Sequence, residues 1–87
     1  MERCFICGRI ANLEKHHCLH GTANRKKAEQ DKLYVRICPE CHRGTNGVHG
    51  KNGHDLDMYL KQRAEKKYLD AGHTIEEFIQ RYGKNYL

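Results

Sequence analysis

Two cysteine pairs constrain this chain more than any other feature: Cys4-x-x-Cys7 and Cys38-x-x-Cys41. Four thiolates at this spacing suit one tetrahedral structural zinc. The chain has 87 residues, no Trp and only two Phe, so apolar burial alone provides a thin core. Structural zinc contributes about 10–16 kcal/mol of binding free energy in small zinc peptides. The sequence therefore predicts one domain, residues 1–87, stabilised by zinc on these four cysteines.

The cysteine usage also bears on the compartment. The fifth cysteine, Cys18, has no pair partner at ligand spacing, and it would be a liability under oxidising conditions. The first residues, Met1 to Cys4, carry no apolar signal segment. No apolar run approaches the roughly 20 residues that a membrane span needs. We therefore expect a reduced, cytoplasmic protein that does not enter a membrane.

Two short segments in the first half predict strands. Residues 13–18 are a short segment between polar regions, and residues 33–37 are rich in β-branched and aromatic side chains. They are expected to pair as an antiparallel hairpin. Residues 19–31 predict a long polar connection, in which Ala28 to Lys32 can hold a helical turn.

Glycines and capping residues organise the second half. Four glycines between residues 44 and 53 disfavour a helix by about 1 kcal/mol each, so a short turn at 41–43 followed by an ordered loop is predicted. Asp55 is the expected N-cap of a helix that ends near Leu69, before Gly72. Thr74 and Glu77 form a capping box for a last helix that stops at Gly83. The predicted fold class is α+β, with a C-terminal helical part over about residues 54–83.

Histidines cluster around the same framework. His16 and His17 lie on the first predicted strand, and His42 follows Cys41 directly. At a helix start His42 points about 100° away from Cys41, so one side of the segment can face zinc and the other a second site. Adjacent strand residues point to opposite faces, so the strand is expected to end or bulge at His16 and His17 if both serve one site.

The order of these motifs resembles the HNH, or ββα-metal, endonuclease superfamily on a treble-clef zinc scaffold. Segments 21–25 and 41–49 are also similar to short HNH-type proteins encoded by bacteriophages. The resemblance covers residues 4–49, just over half of the chain, and its matching parts are Cys4-x-x-Cys7, Glu14-x-His16-His17, Asp31-x-Leu33 and Ile37-Cys38-x-x-Cys41-His42.

The resemblance implies a one-metal phosphodiesterase. In it His17 matches the general base, while His16 and His42 match ligands of a catalytic divalent cation such as Mg²⁺. The chemistry of phosphodiester hydrolysis, considered apart from the resemblance, also favours histidine. Imidazole is a base with a pKa near 7, and neutral imidazoles hold a cation without repelling phosphate.

The sequence departs from the family pattern in two places. Lys32 stands where the family has an Asn that orients the base, and an ammonium cannot accept the imidazole N–H. A backbone carbonyl or Asn24 is a possible substitute. The third metal ligand of the family falls on Asn46, but the glycine-rich loop favours His49.

A basic run, Arg25-Lys26-Lys27, adds a candidate phosphate-binding segment to a chain of net charge +5. Charge alone permits a polyanion partner without proving one. Two hypotheses follow. The chain is a metal-dependent DNA endonuclease or nickase, or it is a catalytically inactive zinc-containing nucleic-acid-binding or recombination accessory module. Lys32 favours the second hypothesis, and the retained histidines favour the first.

Overall fold

The computed structural model describes residues 2–87 and has an α+β architecture. Its two strands form an antiparallel two-stranded sheet. In that described part, no helix is long and apolar enough to cross a membrane. The elements in chain order are β1 (Glu14–His17), α1 (Thr22–Gln30), β2 (Tyr34–Ile37), α2 (Pro39–Arg43), α3 (His54–Asp70) and α4 (Ile75–Tyr82).

The chain divides into two units by its internal contacts. The first, called the cysteine unit here, contains residues 2–16 and Val35–Asp57. The second, called the helical unit, contains His17–Tyr34 and Met58–Leu87. Both strands and α3 contribute residues to both units.

The two units differ in what fills their interiors. In the cysteine unit the buried hydrophobic residues are Cys4, Ile37, Cys38 and Val48. The helical unit buries more and larger apolar side chains, among them Leu19, Leu33, Leu60, Tyr68, Phe78 and Tyr82. Apolar burial stabilises in proportion to area, so the cysteine unit has the smaller hydrophobic contribution.

The connection between the strands is more regular than the sequence predicted. A nine-residue helix, α1, occupies Thr22–Gln30, where we expected only a helical turn at residues 28–32. Its segment Arg25 to Gln30 contains only good helix formers, and Ala28 packs fully buried. The prediction gave too much weight to polarity, because an exposed helix needs only one small buried face.

The end of α1 explains the unusual backbone of Lys32. The N–H of Lys32 donates to the Glu29 carbonyl, and the N–H of Leu33 donates to the Ala28 carbonyl. This pair of bonds is the Schellman motif, which requires a left-handed residue just after the helix. Lys32 takes that position with φ of 58°, although glycine or asparagine is the usual residue there.

In the cysteine unit, α2 is a five-residue helix over Pro39–Arg43, longer than the predicted turn at 41–43. Proline at its first position supplies the φ that a helix start needs. Successive i→i+3 bonds then run through residues 44–53, from Gly47 to Gly44, from Gly50 to Gly47 and from Gly53 to Gly50. The predicted loop is therefore a continuous series of tight turns, called the glycine segment below.

The two C-terminal helices begin and end largely where the sequence indicated. The helix α3 starts at His54, so Asp55 lies in the first turn and is not the N-cap that we predicted. Its carboxylate still complements the positive end of the helix dipole. The capping box of α4 is confirmed, with Thr74 and Glu77 bonding reciprocally. Gly83 ends α4 in the left-handed conformation with φ of 90°.

Candidate metal centres

The four cysteines of the two pairs converge in the cysteine unit. The four Sγ atoms all lie within 4.8 Å of one another; they belong to Cys4, Cys7, Cys38 and Cys41. The Sγ atoms of Cys7 and Cys38 are 3.7 Å apart. Four Zn–S bonds of about 2.3 Å in a tetrahedron place the sulfurs about 3.8 Å apart. The donor set and its spacing therefore fit one structural zinc.

The N-terminal pair is shaped by a tight turn. The N–H of Gly8 donates to the Cys4 carbonyl at 3.0 Å, and Gly8 has φ of 76°. The backbone N–H groups of Ile6 and Cys7 point at Cys4 Sγ, at 3.4 and 3.5 Å. This arrangement is the expected consequence of a glycine after the second cysteine of the pair.

Backbone donors and burial set the thiol acidities in opposite directions. Burial opposes ionisation of Cys4, but N–H groups of Cys7, Cys38 and Ile6 outweigh it and lower its pKa to about 6. Burial, followed by hydrogen bonds with the Cys38, Cys4 and Cys7 sulfurs, raises the pKa of Cys41. Four thiols this close cannot all ionise unless a cation lies among them, which is the requirement that zinc satisfies.

A second cluster in the same unit contains three histidines. The ring centroids of His16 and His42 are 5.3 Å apart, those of His16 and His49 are 5.0 Å apart, and those of His42 and His49 are 4.8 Å apart. One ring nitrogen from each lies within 4.8 Å of the others. His16 is buried, His42 is half-buried and His49 is exposed. The cluster therefore has a buried imidazole at one side and access from solvent at another.

The glycine segment brings His49 to this cluster. The N–H of Val48 donates to the Cys41 carbonyl and the N–H of His49 donates to the His42 carbonyl, at 2.8 and 3.0 Å. These bonds fold residues 48–49 back along α2. A Cβ atom at Gly47 would stand 2.6 Å from the Cys41 carbonyl oxygen, so only glycine permits this approach.

Of the two candidates for the third ligand, the structure places His49 at the cluster. The Asn46 side-chain oxygen instead accepts a hydrogen bond from the Asn52 amide at 3.1 Å, and Asn46 is exposed. Asn46 thus stabilises the glycine segment.

Glu14 fixes the orientation of His42. Its Oε1 atom accepts from His42 Nδ1 at 2.8 Å, and the same carboxylate accepts two bonds from Arg43, at 3.1 and 2.7 Å. The hydrogen bond from His42, with the charge of Arg43, lowers the pKa of Glu14. An ionised carboxylate is only an acceptor, so Nδ1 carries the proton and Nε2 keeps the lone pair that a metal requires.

His17, the expected general base, belongs to the helical unit. It is the last residue of β1, so the strand ends at the histidine pair, as one of the two predicted alternatives requires. Its Nε2 atom lies 2.8 Å from Glu29 Oε2 on α1. Sequence reasoning missed both Glu14 and Glu29 as partners of histidines, because each pair is separated by more than ten residues and no local spacing marks it.

The basic run is divided between two roles. Arg25 and Lys26 are exposed on α1. The Lys27 ammonium instead donates to the Arg81 carbonyl at 2.8 Å, in the last turn of α4. A cation at a helix C-terminus stabilises the unpaired carbonyls there. Arg25 and Lys26 are thus the members of the run whose charges face solvent.

Asn24, one of the substitute acceptors for His17 that the sequence suggested, bonds to Tyr82 instead. The Asn24 amide donates to the Tyr82 carbonyl at 3.3 Å. Lys32 is exposed after α1, and its carbonyl accepts from the Lys67 ammonium at 2.8 Å. The His17 imidazole instead contacts the Glu29 carboxylate.

Comparison of the chain with models of protein families, with curated proteins and with solved structures gives no match.

Proposed function

We propose that this chain is an HNH-type endonuclease or nickase that hydrolyses phosphodiester bonds in DNA. The observation that carries the proposal is the convergence of His16, His42 and His49 within 4.8 Å, beside a four-cysteine cluster. The three ligands come from β1, α2 and the glycine segment, in the order expected of the HNH motif. The treble-clef assignment of the zinc site and a reducing, cytoplasmic location belong to the same proposal.

The proposed division of labour follows from the residue chemistry. His16, His42 and His49 bind one divalent cation through neutral nitrogens. When bound, that cation supplies positive charge next to the scissile phosphate. His17 takes a proton from the attacking water while the new oxygen–phosphorus bond forms. The bond from phosphorus to the leaving deoxyribose oxygen breaks, and that oxygen takes a proton from solvent.

A zinc-containing nucleic-acid-binding or recombination accessory module without catalysis is the second candidate. The observation that favours it is Lys32, which is an exposed residue in a helix cap at the position where the HNH motif has an asparagine. Both candidates include binding of DNA and structural zinc. They differ in whether a phosphodiester bond is cut.

Nicking of supercoiled plasmid by zinc-loaded protein in Mg²⁺ or Mn²⁺ distinguishes the two candidates. His17→Ala is expected to retain metal and DNA binding and to lose about 10²–10⁴-fold in rate, the usual contribution of a positioned base. His42→Ala and His49→Ala are expected to weaken Mn²⁺ binding, measured by calorimetry, and to be partly rescued by excess Mn²⁺.

The matched control is His54→Ala, which removes an exposed histidine from the cysteine unit, the unit that also contains His42 and His49. It is expected to bind Mn²⁺ and to cut like wild type. Wild-type protein that shows no metal-dependent nicking would exclude the endonuclease and leave the binding module. A His17→Ala variant as active as wild type would remove His17 from the reaction.

A further inference from the structure

His17 is held on two sides within the helical unit. Its Nε2 atom is 2.8 Å from Glu29 Oε2, a separation typical of a charge-assisted hydrogen bond. Its ring meets Tyr34 of the neighbouring strand edge-on, with centroids 6.1 Å apart. The His17 side chain is 19% exposed, whereas that of Glu29 is 48% exposed. The imidazole is therefore enclosed more than its partner, and the carboxylate reaches it from the helix.

The helix that carries Glu29 is anchored at several points. Asp31, just after α1, accepts from the Arg81 guanidinium and from the Tyr82 hydroxyl of α4. Lys27 donates to the Arg81 carbonyl, and Asn24 donates to the Tyr82 carbonyl. Two residues of α1 and its C-cap Asp31 thus bind the last turn of α4, and Glu29 projects from a fixed helix.

Backbone bonds join the C-terminal end of α1 to the residues next to the two strands. The Leu33 N–H donates to the Ala28 carbonyl at 2.8 Å, and the Cys18 N–H donates to the Leu33 carbonyl at 3.2 Å. Ala28 immediately precedes Glu29, and His17 immediately precedes Cys18. Glu29 and His17 are therefore connected through Leu33 by two backbone hydrogen bonds.

An ionised carboxylate accepts hydrogen bonds and donates none, so the shared proton belongs to the histidine. A neutral imidazole carries one proton and one lone pair on different nitrogens. We infer that Glu29 is the positioning residue of His17: it accepts the Nε2–H bond and leaves Nδ1 as the nitrogen that takes the proton from water. This inference rests on the proposed nuclease function and names the group that orients its base.

The protonated nitrogen of His17 can be measured without any cleavage. Long-range ¹H–¹⁵N correlation spectra of zinc-loaded, ¹⁵N-labelled protein, without Mg²⁺ or DNA, report the tautomer of each neutral histidine. In wild type His17 is expected as the Nε2–H tautomer. Glu29→Ala is expected to give a mixture of tautomers. Glu29→Gln is expected to restore Nε2–H, because its amide oxygen still accepts the bond.

Glu76→Ala is the matched control, since it removes an exposed carboxylate from another helix of the same unit. It is expected to leave the His17 spectrum unchanged. An Nδ1–H tautomer in wild type, or an unchanged spectrum in Glu29→Ala, overturns the inference. These spectra do not depend on cleavage, so they distinguish failure of this inference from failure of the nuclease proposal.

Kinetics then test whether the positioning matters for the reaction. Glu29→Ala is expected to lower kcat of plasmid nicking roughly 10–100-fold with little change in KM, by analogy with the loss seen when the hydrogen-bond partner of a metal-binding histidine is removed. Glu29→Gln is expected to recover most of kcat. Equal kcat values for wild type and Glu29→Ala would overturn the positioning role.

Discussion

At the scale of single residues, Lys32 has a conformation that its side chain does not favour. A left-handed backbone costs an L-residue about 1–2 kcal/mol, and Lys32 adopts it at φ of 58°. The position is required by the two backbone bonds that end α1. The side chain is exposed, so no packing depends on it.

Lys32→Gly is therefore expected to raise the free energy of unfolding by about 0.5–1 kcal/mol, because glycine adopts the left-handed region without steric cost. Lys26→Gly, in the exposed middle of α1, is the control and is expected to lower it by about 1 kcal/mol. Urea denaturation of both variants measures the difference. A loss of stability in Lys32→Gly equal to that in Lys26→Gly would contradict the cap assignment.

The sequence predicted which cysteines come together better than it predicted the hydrogen-bond partners of the histidines. The two C-x-x-C pairs specify four sulfurs by local spacing alone, and the structure brings these sulfurs together. The carboxylates of Glu14 and Glu29 could not be assigned to histidines in advance. Their pairs span 28 and 12 residues, so they depend on how the elements pack.

At the scale of elements, α1 and α4 are joined by a polar network that is partly buried. Tyr82 is 4% exposed, and its hydroxyl donates to Asp31, which also accepts from Arg81. Burial, followed by the hydrogen bond with Asp31, raises the pKa of Tyr82 well above its usual value of about 10. The folded state therefore holds the Tyr82 proton more tightly than the unfolded state does.

The sign of the pH dependence follows from this difference. The contribution of Tyr82 to stability is fully present below pH of about 10 and is lost as the pH rises towards the higher pKa of the folded state. We expect the alkaline loss of helical circular dichroism to coincide with ionisation of Tyr82, measured by tyrosinate absorbance. Tyrosinate that forms at Tyr82 while the helices stay intact would contradict this expectation.

Tyr82→Phe isolates the hydroxyl. It keeps the ring contacts with Phe78 and Tyr68 but removes the bond to Asp31. The variant is expected to lose about 1 kcal/mol of stability near neutral pH, because a partly buried acceptor loses one of its donors. Tyr59→Phe, at an exposed position on α3, is the control with a smaller expected loss.

Element prediction succeeded where capping chemistry was local and failed where tertiary contacts decided. The capping box and Gly83 set the ends of α4 by themselves. The helix α1 was missed because its polar sequence gives a weak periodic signal. Its bonds to α4 are made by Asn24, Lys27 and Asp31, and these contacts join residues 50 to 58 positions apart.

At the scale of the whole molecule, stability has two sources. The cysteine unit has few buried apolar side chains beside its four sulfurs, whereas the helical unit has an aromatic and aliphatic core. Zinc contributes about 10–16 kcal/mol in comparable small sites, so its removal is expected to affect the first unit far more than the second.

Hydrogen exchange of purified protein before and after chelation measures this difference. Elemental analysis should first give one zinc per chain. After chelation, amide protection is expected to disappear from residues 2–16 and 35–57 and to persist in part in α4. Protein purified without zinc that keeps full protection in the presence of chelator would contradict the zinc assignment.

If the chain binds DNA as proposed, we expect that binding to weaken as salt rises, because the chain carries a net charge of +5. Because Lys27 caps α4, we expect phosphate contacts from Arg25 and Lys26 rather than from the whole run. Changing these two to Ala should reduce the slope of log K against log salt by about 1.8 on duplex DNA. An unchanged slope would remove α1 from the interface. Lys51→Ala, at an exposed position outside the run, is the control.

The glycine segment has a consequence for the sequences that this protein can tolerate. A side chain at Gly50 would overlap the Gly44 carbonyl oxygen, and one at Gly53 would overlap the Gly47 carbonyl oxygen. These two glycines are thus excluded from change by the backbone of an earlier glycine, so single substitutions there cannot be relieved by altering a neighbouring side chain. Insertions are excluded as well, because one extra residue would shift the three-residue spacing and move His49 away from His42. Variation among functional descendants of this sequence should therefore fall on the exposed intervening positions, such as Thr45 and Lys51.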